Sequence, residues 1–404
     1  MTTKIAHIAD THLGYRQYGL LEREEDFYDT FKIMIDDMID KKVDYVLHCG
    51  DLFDQPKPPI KALLVAQECF MKLIDHGIDI YVIAGNHDIL QKRNTSIPQE
   101  LYENDHFHII TLKNDHYIIE EDIFIGGMPF LSKNYEEITK GILNDLAQAA
   151  RGHKHKILML HGGIPKYFDF NCEFELDTIP EGFDYYALGH IHQRILEKDF
   201  KNGILSYPGC IDIKDKGEIS EYKKNGKGYN LLTIDEDINV EFIDFKLKRK
   251  FINKEIKYYQ LDEELAKIEE NIQNEILITE DTKKPILILN IVEGNFNRTD
   301  VSARIYEQFE DLTLSIRLSF EPTILDDTNK PIPDINDLNP RSMLEIKLKE
   351  KYSEGVDEEY GKEISTLGVG LYDNLIQQNL EEAVRISKDY YNKHYGLEDE
   401  NNDN

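Results

Sequence analysis

Residues 78–88 read "IDIYVIAGNHD". An apolar run, Ile80 to Ala84, passes directly into a glycine and then two polar side chains of ligand type. A short apolar run bounded by turn residues marks a buried strand. Asn86 and His87 follow where that strand ends, and chain neighbours point in different directions, so one shared job does not suit them. Working back from this stretch, "KIAHIAD" (4–10) is a first buried strand, and residues 23–41 carry helical spacing. "VDYVLHCGD" (43–51) is a second strand, and 59–76 a second helix. The alternation predicts a βαβαβ unit within an α/β fold. Further strands are expected at 122–127, 156–161, 184–188, 203–207 and 228–246, with a helix near 136–150. The closer spacing after residue 200 predicts hairpins or an antiparallel extension.

Five of the apolar strands end in metal-type ligands: "IADTH" (Asp10, His12), "HCGD" (Asp51), "AGNHD" (Asn86, His87), "MLHGG" (His161) and "ALGHIH" (His190, His192). Strand carboxyl ends of an α/β sheet share one rim, so these side chains are expected to converge. The glycines before Asp51, Asn86 and His190 permit tight turns and close backbone approach. Among 14 histidines the H-x-H spacing occurs three times. The pairs His106/His108 and His153/His155 lie among polar neighbours and read as solvated surface, whereas His190/His192 belongs to the five-strand set. His7 and His48 lie within strands and read as core or supporting residues. Asp44, Asp79 and Asp184 open strands and read as turn residues. Carboxylate, amide and neutral imidazole donors suit manganese, iron or zinc. Seven ligands exceed the needs of one ion and match two sharing a carboxylate. Two ions about 3.5–4 Å apart stabilise the attacking and leaving oxygens of phosphoryl transfer, which predicts a phosphoester hydrolase.

The bulk numbers bound this reading. The 404 residues are 41% hydrophobic and 10% aromatic, as expected of a packed chain of one to three domains. No run of eighteen apolar residues occurs, and "MTTKIAHIAD" lacks the layout of a signal peptide, so no membrane association is expected. The four cysteines show no paired spacing, which argues against a disulfide scaffold or zinc ribbon and for a reducing cytoplasm. A net charge of −30 speaks against a generic nucleic-acid binder, though metal ions and local Lys/Arg residues permit DNA contact at one site. Residues 250–320 read as a small α+β unit and 321–340 as a Pro/Asp/Asn-rich linker. Helices follow, one opening at Asn339-Pro340 and one over about 370–394, and the acidic tail reads as disordered.

The order D-x-H, GD, GNHD, H-G-G, G-H-x-H resembles the calcineurin-like metallophosphoesterase superfamily. "HIADTHLGYRQY", "HCGDLFD", "PKPP", "YYALGHIHQR" and "YPGC" look like its SbcD/Mre-eleven DNA-repair nuclease branch, of archaeal type. The likeness is strong over roughly residues 4–245 and weaker to 320. It implies a β-sandwich flanked by helices in a nuclease domain (1–248), then a small α+β DNA-capping domain (249–320) and a linker (321–339). A helical region binding the ATPase partner (340–396) and a disordered tail (397–404) complete the expected organisation.

The resemblance also implies roles. Asp10, His12, Asp51 and His192 would hold one Mn2+, and Asp51, Asn86, His161 and His190 a second. A hydroxide held by the pair would attack the phosphodiester, and His87 would protonate the leaving 3′-oxygen as general acid. The activity implied is manganese-dependent 3′→5′ exonuclease action on duplex DNA and endonuclease action on single strands, in processing double-strand breaks. The implied partner is an SMC-like coiled-coil ATPase of the SbcC/Rad-fifty type, docked on Leu344, Leu348, Leu371, Leu375 and Val384. A homodimer through nuclease-domain helices is also implied, with "ALLVAQECFMKLI" (62–74) a contributor. Arg16, Gln17, Lys92, Arg93 and the cluster at 214–228 are candidate phosphate contacts, and Asp88 is expected to support the turn or orient His87. Two positions depart from the family habit: Asp54, where histidine is frequent, and Cys210, where serine is. The competing readings are a protein phosphatase, a cyclic-nucleotide phosphodiesterase or a non-catalytic scaffold. Gln55-Pro56 after Asp54 is unlike the phosphatase branch, and a scaffold would have lost ligands.

Overall fold

A computed structural model of the chain describes residues 2–90, 96–120, 122–168, 172–276, 283–321, 344, 348, 358–376 and 380–395. Lys92 and Arg93, the linker and the helix start expected at Asn339-Pro340 lie outside them. The chain divides into two compact units, residues 1–253 with 272–287 and residues 254–271 with 288–404.

The first unit begins with β1 (Thr3–Ile8), α1 (Leu21–Asp40), β2 (Tyr45–Cys49), α2 (Ile60–Asp75), β3 (Asp79–Ile83) and β4 (Phe107–Ile109). It continues with β5 (His116–Ile119), β6 (Ile123–Gly127), α3 (Glu136–Ala149), β7 (His155–His161), β8 (Tyr185–Gly189), β9 (Ile195–Phe200) and β10 (Gly203–Tyr207). A short α4 (Glu218–Asn225) leads into β11 (Lys227–Ile234) and β12 (Ile238–Phe245). The strands form two six-stranded sheets, β12–β11–β1–β2–β3–β4 and β5–β6–β7–β8–β10–β9. Strands β1 to β4 are mutually parallel, as are β6, β7, β8 and β10, while β11, β12, β5 and β9 pair antiparallel at the flanks. The region 228–246 is therefore a hairpin of two strands.

Period-two alternation explains the layering. On β1, Ala6 and Ile8 join a core with Phe27 and Phe31 of α1 and Phe70 of α2. Ile5 joins another core, with Leu47 and Ile83 of its own sheet and Ile125, Met159 and Ala187 of the opposite sheet. Leu143 and Leu146 of α3 cover the outer face of the second sheet at Leu158 and Leu188. Central strands buried on both faces read as continuous apolar runs, and the result is a sandwich of two sheets with helices outside.

Between the sheets lies a small polar cluster. His7 Nδ1 is 2.9 Å from Tyr185 Oη, and Asn230 Nδ2 donates to Ser206 Oγ at 2.9 Å. A larger network ties α1 down. The fully buried Arg23 donates to Asp26 at 2.5 Å, to Asp212 at 2.7 Å and to Gln17 at 2.8 Å. Asp26 also takes Arg249 at 2.5 Å and Lys283 at 2.7 Å.

The second unit holds α5 (Leu261–Asn271), α6 (Arg298–Phe309), α7 (Glu358–Ile376) and α8 (Leu380–Tyr395). A third sheet has the order β13 (Arg249–Lys257), β14 (Lys283–Val292), β15 (Ser315–Glu321). Leu261, Leu265 and Ile268 of α5 and Val301, Ile305 and Phe309 of α6 are buried at helical spacing. The single helix expected over 370–394 is instead two packed helices, with Val369 of α7 and Ala383 of α8 buried. One continuous rod would leave both apolar faces in water. Leu371 is half-buried, as are Leu344 and Leu348, while Leu375 and Val384 are exposed.

Candidate metal centre

Parallel strands deliver their carboxyl ends to one rim. Asp10 and His12 follow β1, Asp51 follows β2, Asn86 and His87 follow β3, His161 ends β7, and His190 and His192 follow β8. The loops are cross-tied: Asp10 N donates to Gly50 O at 3.0 Å and His12 N to Asp51 O at 3.1 Å. Four of these residues hold the left-handed backbone region, with φ of 52° at Asp10, 43° at His12, 54° at Asp51 and 94° at His190. Non-glycine residues enter that region rarely, and such strain gathers at functional sites. At Gly85 and Gly189 packing sets the residue type. A Cβ at Gly85 would fall on the Asp51 carboxylate, and one at Gly189 on the Cys49 carbonyl.

The seven expected ligands come together. His12 Nε2 lies 3.1 Å from His192 Nε2, and Asp10 lies within the same cluster. Asn86 Oδ1 lies 3.1 Å from His161 Nε2 and 3.0 Å from His190 Nδ1. Asp51 Oδ2 stands between the groups, 3.8 Å from His12 Nε2 and 3.4 Å from His161 Nε2. Burial holds His12 and His190 neutral, each pulled down to about 3, the state a metal ligand requires. Burial likewise opposes charge on Asp51 and His161, but their mutual attraction outweighs it. The imidazole is raised to about 9 and the carboxyl is held well below its ordinary range. This centre therefore calls for positive charge beside Asp51, and divalent cations answer that demand. The donor set fits them.

The ligands are braced from behind. His161 Nδ1 meets Cys49 O at 2.8 Å, and His192 Nδ1 meets Glu218 Oε1 at 2.9 Å, with Lys227 donating to Glu218 Oε2 at 2.7 Å. Such partners fix ring orientation and tautomer. Cys210 Sγ stands near His192 and Glu218, and burial pushes its thiol up. His87 is turned away from its neighbour's task. Its backbone N–H donates to Asp51 Oδ1 at 2.8 Å, and its Nδ1 meets the Asp54 carbonyl at 2.7 Å. Asp88 is buried and accepts from the backbone N–H groups of Gly85 at 2.9 Å and Phe53 at 3.0 Å, so it supports the turn.

A cavity of about 630 Å³ opens over the centre, bordered by Asp51, His87, His190, Tyr167, Phe168 and Asp215. Its described lining contains neither lysine nor arginine. Arg16 is spent on Glu24 through two contacts of 2.8 and 2.6 Å. Gln17 is buried, its amide oxygen accepting from Arg23 and its amide nitrogen donating to Lys214 O, so it is placed as a structural residue rather than a surface phosphate contact. Within the 214–228 cluster, Lys214 and Lys227 turn inward while Lys216, Lys223 and Lys224 are exposed. His155 corrects the surface reading of its pair: it is buried, with Nε2 3.1 Å from Asp235 O across the β11–β12 turn. Glu218 went unread in the sequence because it stands in a lysine-rich stretch. Its one signal is the apolar Ile219 beside it.

The calcineurin-like phosphoesterase model matches residues 3–194. The chain is 34% identical over 404 residues to the DNA double-strand break repair protein Mre11 of Methanococcus maripaludis, covering 97% of this chain and 100% of that protein. With the protein of the same name from Methanocaldococcus jannaschii it shares 35% over 393 residues, 96% of this chain and 98% of that one. The chain belongs to the Mre11 family of calcineurin-like phosphoesterases. Among solved structures, a dimetal phosphatase from Danio rerio aligns with a TM-score of 0.40 and 10% identity, over 60% of this chain and 97% of that one. Family membership makes the chain a phosphodiester-hydrolysing nuclease with the fold described above, and the family's metal centre is dinuclear. No helix among the described residues is long and apolar enough to cross a membrane.

Proposed function

We propose that this chain is a manganese-dependent DNA nuclease that processes ends in double-strand-break repair, as a 3′→5′ exonuclease on duplex and an endonuclease on single strands. The observation that carries the reading is Asp51, whose carboxylate stands between the His12/His192 and Asn86/His161/His190 groups. Asp10, His12, Asp51 and His192 would hold one ion, and Asp51, Asn86, His161 and His190 the other. Bound there, the pair would supply the charge that stabilises the attacking and leaving oxygens of an in-line displacement. Borderline donors with no thiolate support manganese. The phosphodiester would enter the cavity beside His87. Nδ1 is held by the Asp54 carbonyl, so Nε2 is the atom that would hand a proton to the leaving 3′-oxygen. Asn86 gives the centre a ligand without adding negative charge against a phosphate.

The net charge of −30 is compatible with DNA because the attraction is local, supplied at the centre rather than by a basic face. The fold divisions expected from the sequence, a nuclease domain to 248, a capping domain to 320, a linker to 339 and a partner-binding region to 396, stay part of the proposal. A coiled-coil ATPase would dock on Leu344, Leu348, Leu371, Leu375 and Val384, of which Leu375 and Val384 are exposed. A second copy would meet α2, where Ile60, Leu64 and Met71 form an exposed apolar row at helical spacing.

The test is incubation with 3′-labelled duplex and circular single-stranded DNA, with manganese or magnesium, beside His87→Ser. Manganese-dependent degradation is expected, falling at least about 100-fold in the variant while two ions remain bound. Hydrolysis of phosphopeptides but not DNA would sink the reading, and loss of a metal in His87→Ser would overturn the role given to that residue.

A further inference from the structure

His12 and His192 face one another across the centre but are held from behind in different ways. At His192 a single acceptor sets the ring. Glu218 only accepts, so a ring hydrogen lies on Nδ1, and Nε2 is the nitrogen left to offer a lone pair to the centre. Lys227 is kept off that ring, donating to Glu218 Oε2 and, at 3.2 Å, to the His192 carbonyl.

Behind His12 two groups compete for one nitrogen. Lys214 Nζ lies 3.2 Å from His12 Nδ1, and Asp54 Oδ1 lies 3.5 Å from the same atom. The ammonium only donates, so its contact places a lone pair on Nδ1 and the hydrogen on Nε2. Nε2 is the atom 3.1 Å from His192 Nε2, where a ligand must present a lone pair. Asp54 only accepts, and calls for the opposite tautomer.

We propose that Asp54 is a positioning residue that makes His12 competent to hold a cation, by accepting its Nδ1–H and drawing Lys214 off the ring. The inference rests on the two-metal reading of this centre. Asp54 Oδ1 already lies 3.2 Å from Lys214 Nζ. The Tyr15 ring, its centroid 4.7 Å from that ammonium, gives Lys214 a seat without release into water. The Asp54 and Lys214 side chains are only 23% and 12% exposed, so solvent does little to screen the contest. Asp54 thus governs two rings: its carboxylate sets His12, and its carbonyl holds His87. A side-chain substitution leaves the second function in place.

Calorimetric titration with Mn2+, with bound ions counted by electron paramagnetic resonance, separates the cases. In Asp54→Ala, Lys214 has His12 Nδ1 to itself, and one of two Mn2+ sites is expected to weaken by about 10- to 100-fold while the other is unchanged. Asp54→Ala combined with Lys214→Ala is expected to regain at least half of that loss on a logarithmic scale. Asp54→Asn, which keeps an acceptor but not the charge, should fall between. Two full-affinity sites in Asp54→Ala, or a double variant no better than the single one, would overturn the proposal. A packing role for Asp54 would give no lysine-dependent recovery. The isotherms decide this inference and DNA hydrolysis decides the nuclease reading, so the two fail separately.

Discussion

Gly85 shows how tightly single residues are set at this centre. Its φ is not in the left-handed region, so an alanine there meets no backbone objection. The obstacle is the Asp51 carboxylate and backbone nitrogen, which occupy the place a Cβ would take. Gly85→Ala is therefore expected to cost at least about 1–3 kcal/mol of stability while displacing the carboxylate between the two ligand groups. The expected result is loss of at least one bound divalent ion and at least about 100-fold of activity, read by metal counting beside thermal unfolding. A folded variant with both ions bound would contradict it. The ligand types were legible in the sequence because each follows an apolar run and a turn. Their bracing was not, since Asp54 and Lys214 reach the centre from loops and Glu218 from the first position of the short α4, none of which carries a periodic signal.

At the scale of elements, α1 is the part whose anchoring its own pattern hides. Its apolar stripe of Phe27, Phe31 and Met34 predicts burial correctly, yet Arg23 is fully buried on the same helix. The carboxylates that make this tolerable come partly from its own next turn, Asp26, and partly from Asp212, almost two hundred residues on. Removing one member of a buried ion network leaves the others uncompensated. Arg23→Ala is expected to cost about 3–5 kcal/mol, measured as a shift of the urea midpoint, and a loss below 1 kcal/mol, on the order expected of a surface pair, would show that the network is not what holds α1. The C-terminal helices give the reverse lesson. Helical character at 370–394 was legible, but its division between α7 and α8 was not, because two helix faces packing on each other is a tertiary outcome that no local pattern reports.

Across the whole molecule, two buried strand histidines carry a pH dependence, His7 between the two sheets and His48 on the face of β2 that turns away from the second sheet. Burial lowers His7 to about 3 and His48 to about 3, against about 6.5 in an unfolded chain. Between those values the unfolded state binds protons that the native state refuses, so acid favours unfolding. This contribution to stability is fully present above about pH 6.5 and is lost as pH falls toward 3, at about 1.4 kcal/mol per pH unit for each histidine. Denaturant midpoints measured in chelator from pH 7 to 4 should fall steeply, and less steeply in His7→Asn. An equal slope in that variant would contradict the assignment. By itself the sequence determined the alternation of strand and helix, the five strand ends that bear ligands and the family, since those signals are local in the chain. Only the tertiary structure decided that the five ends meet, that Asp51 stands between two groups, that Gln17 is buried and that Asp54 and Glu218 stand behind the imidazoles. Each of those depends on distances between residues tens to hundreds of positions apart, which pairing of strands and packing of two sheets fix and no local pattern encodes.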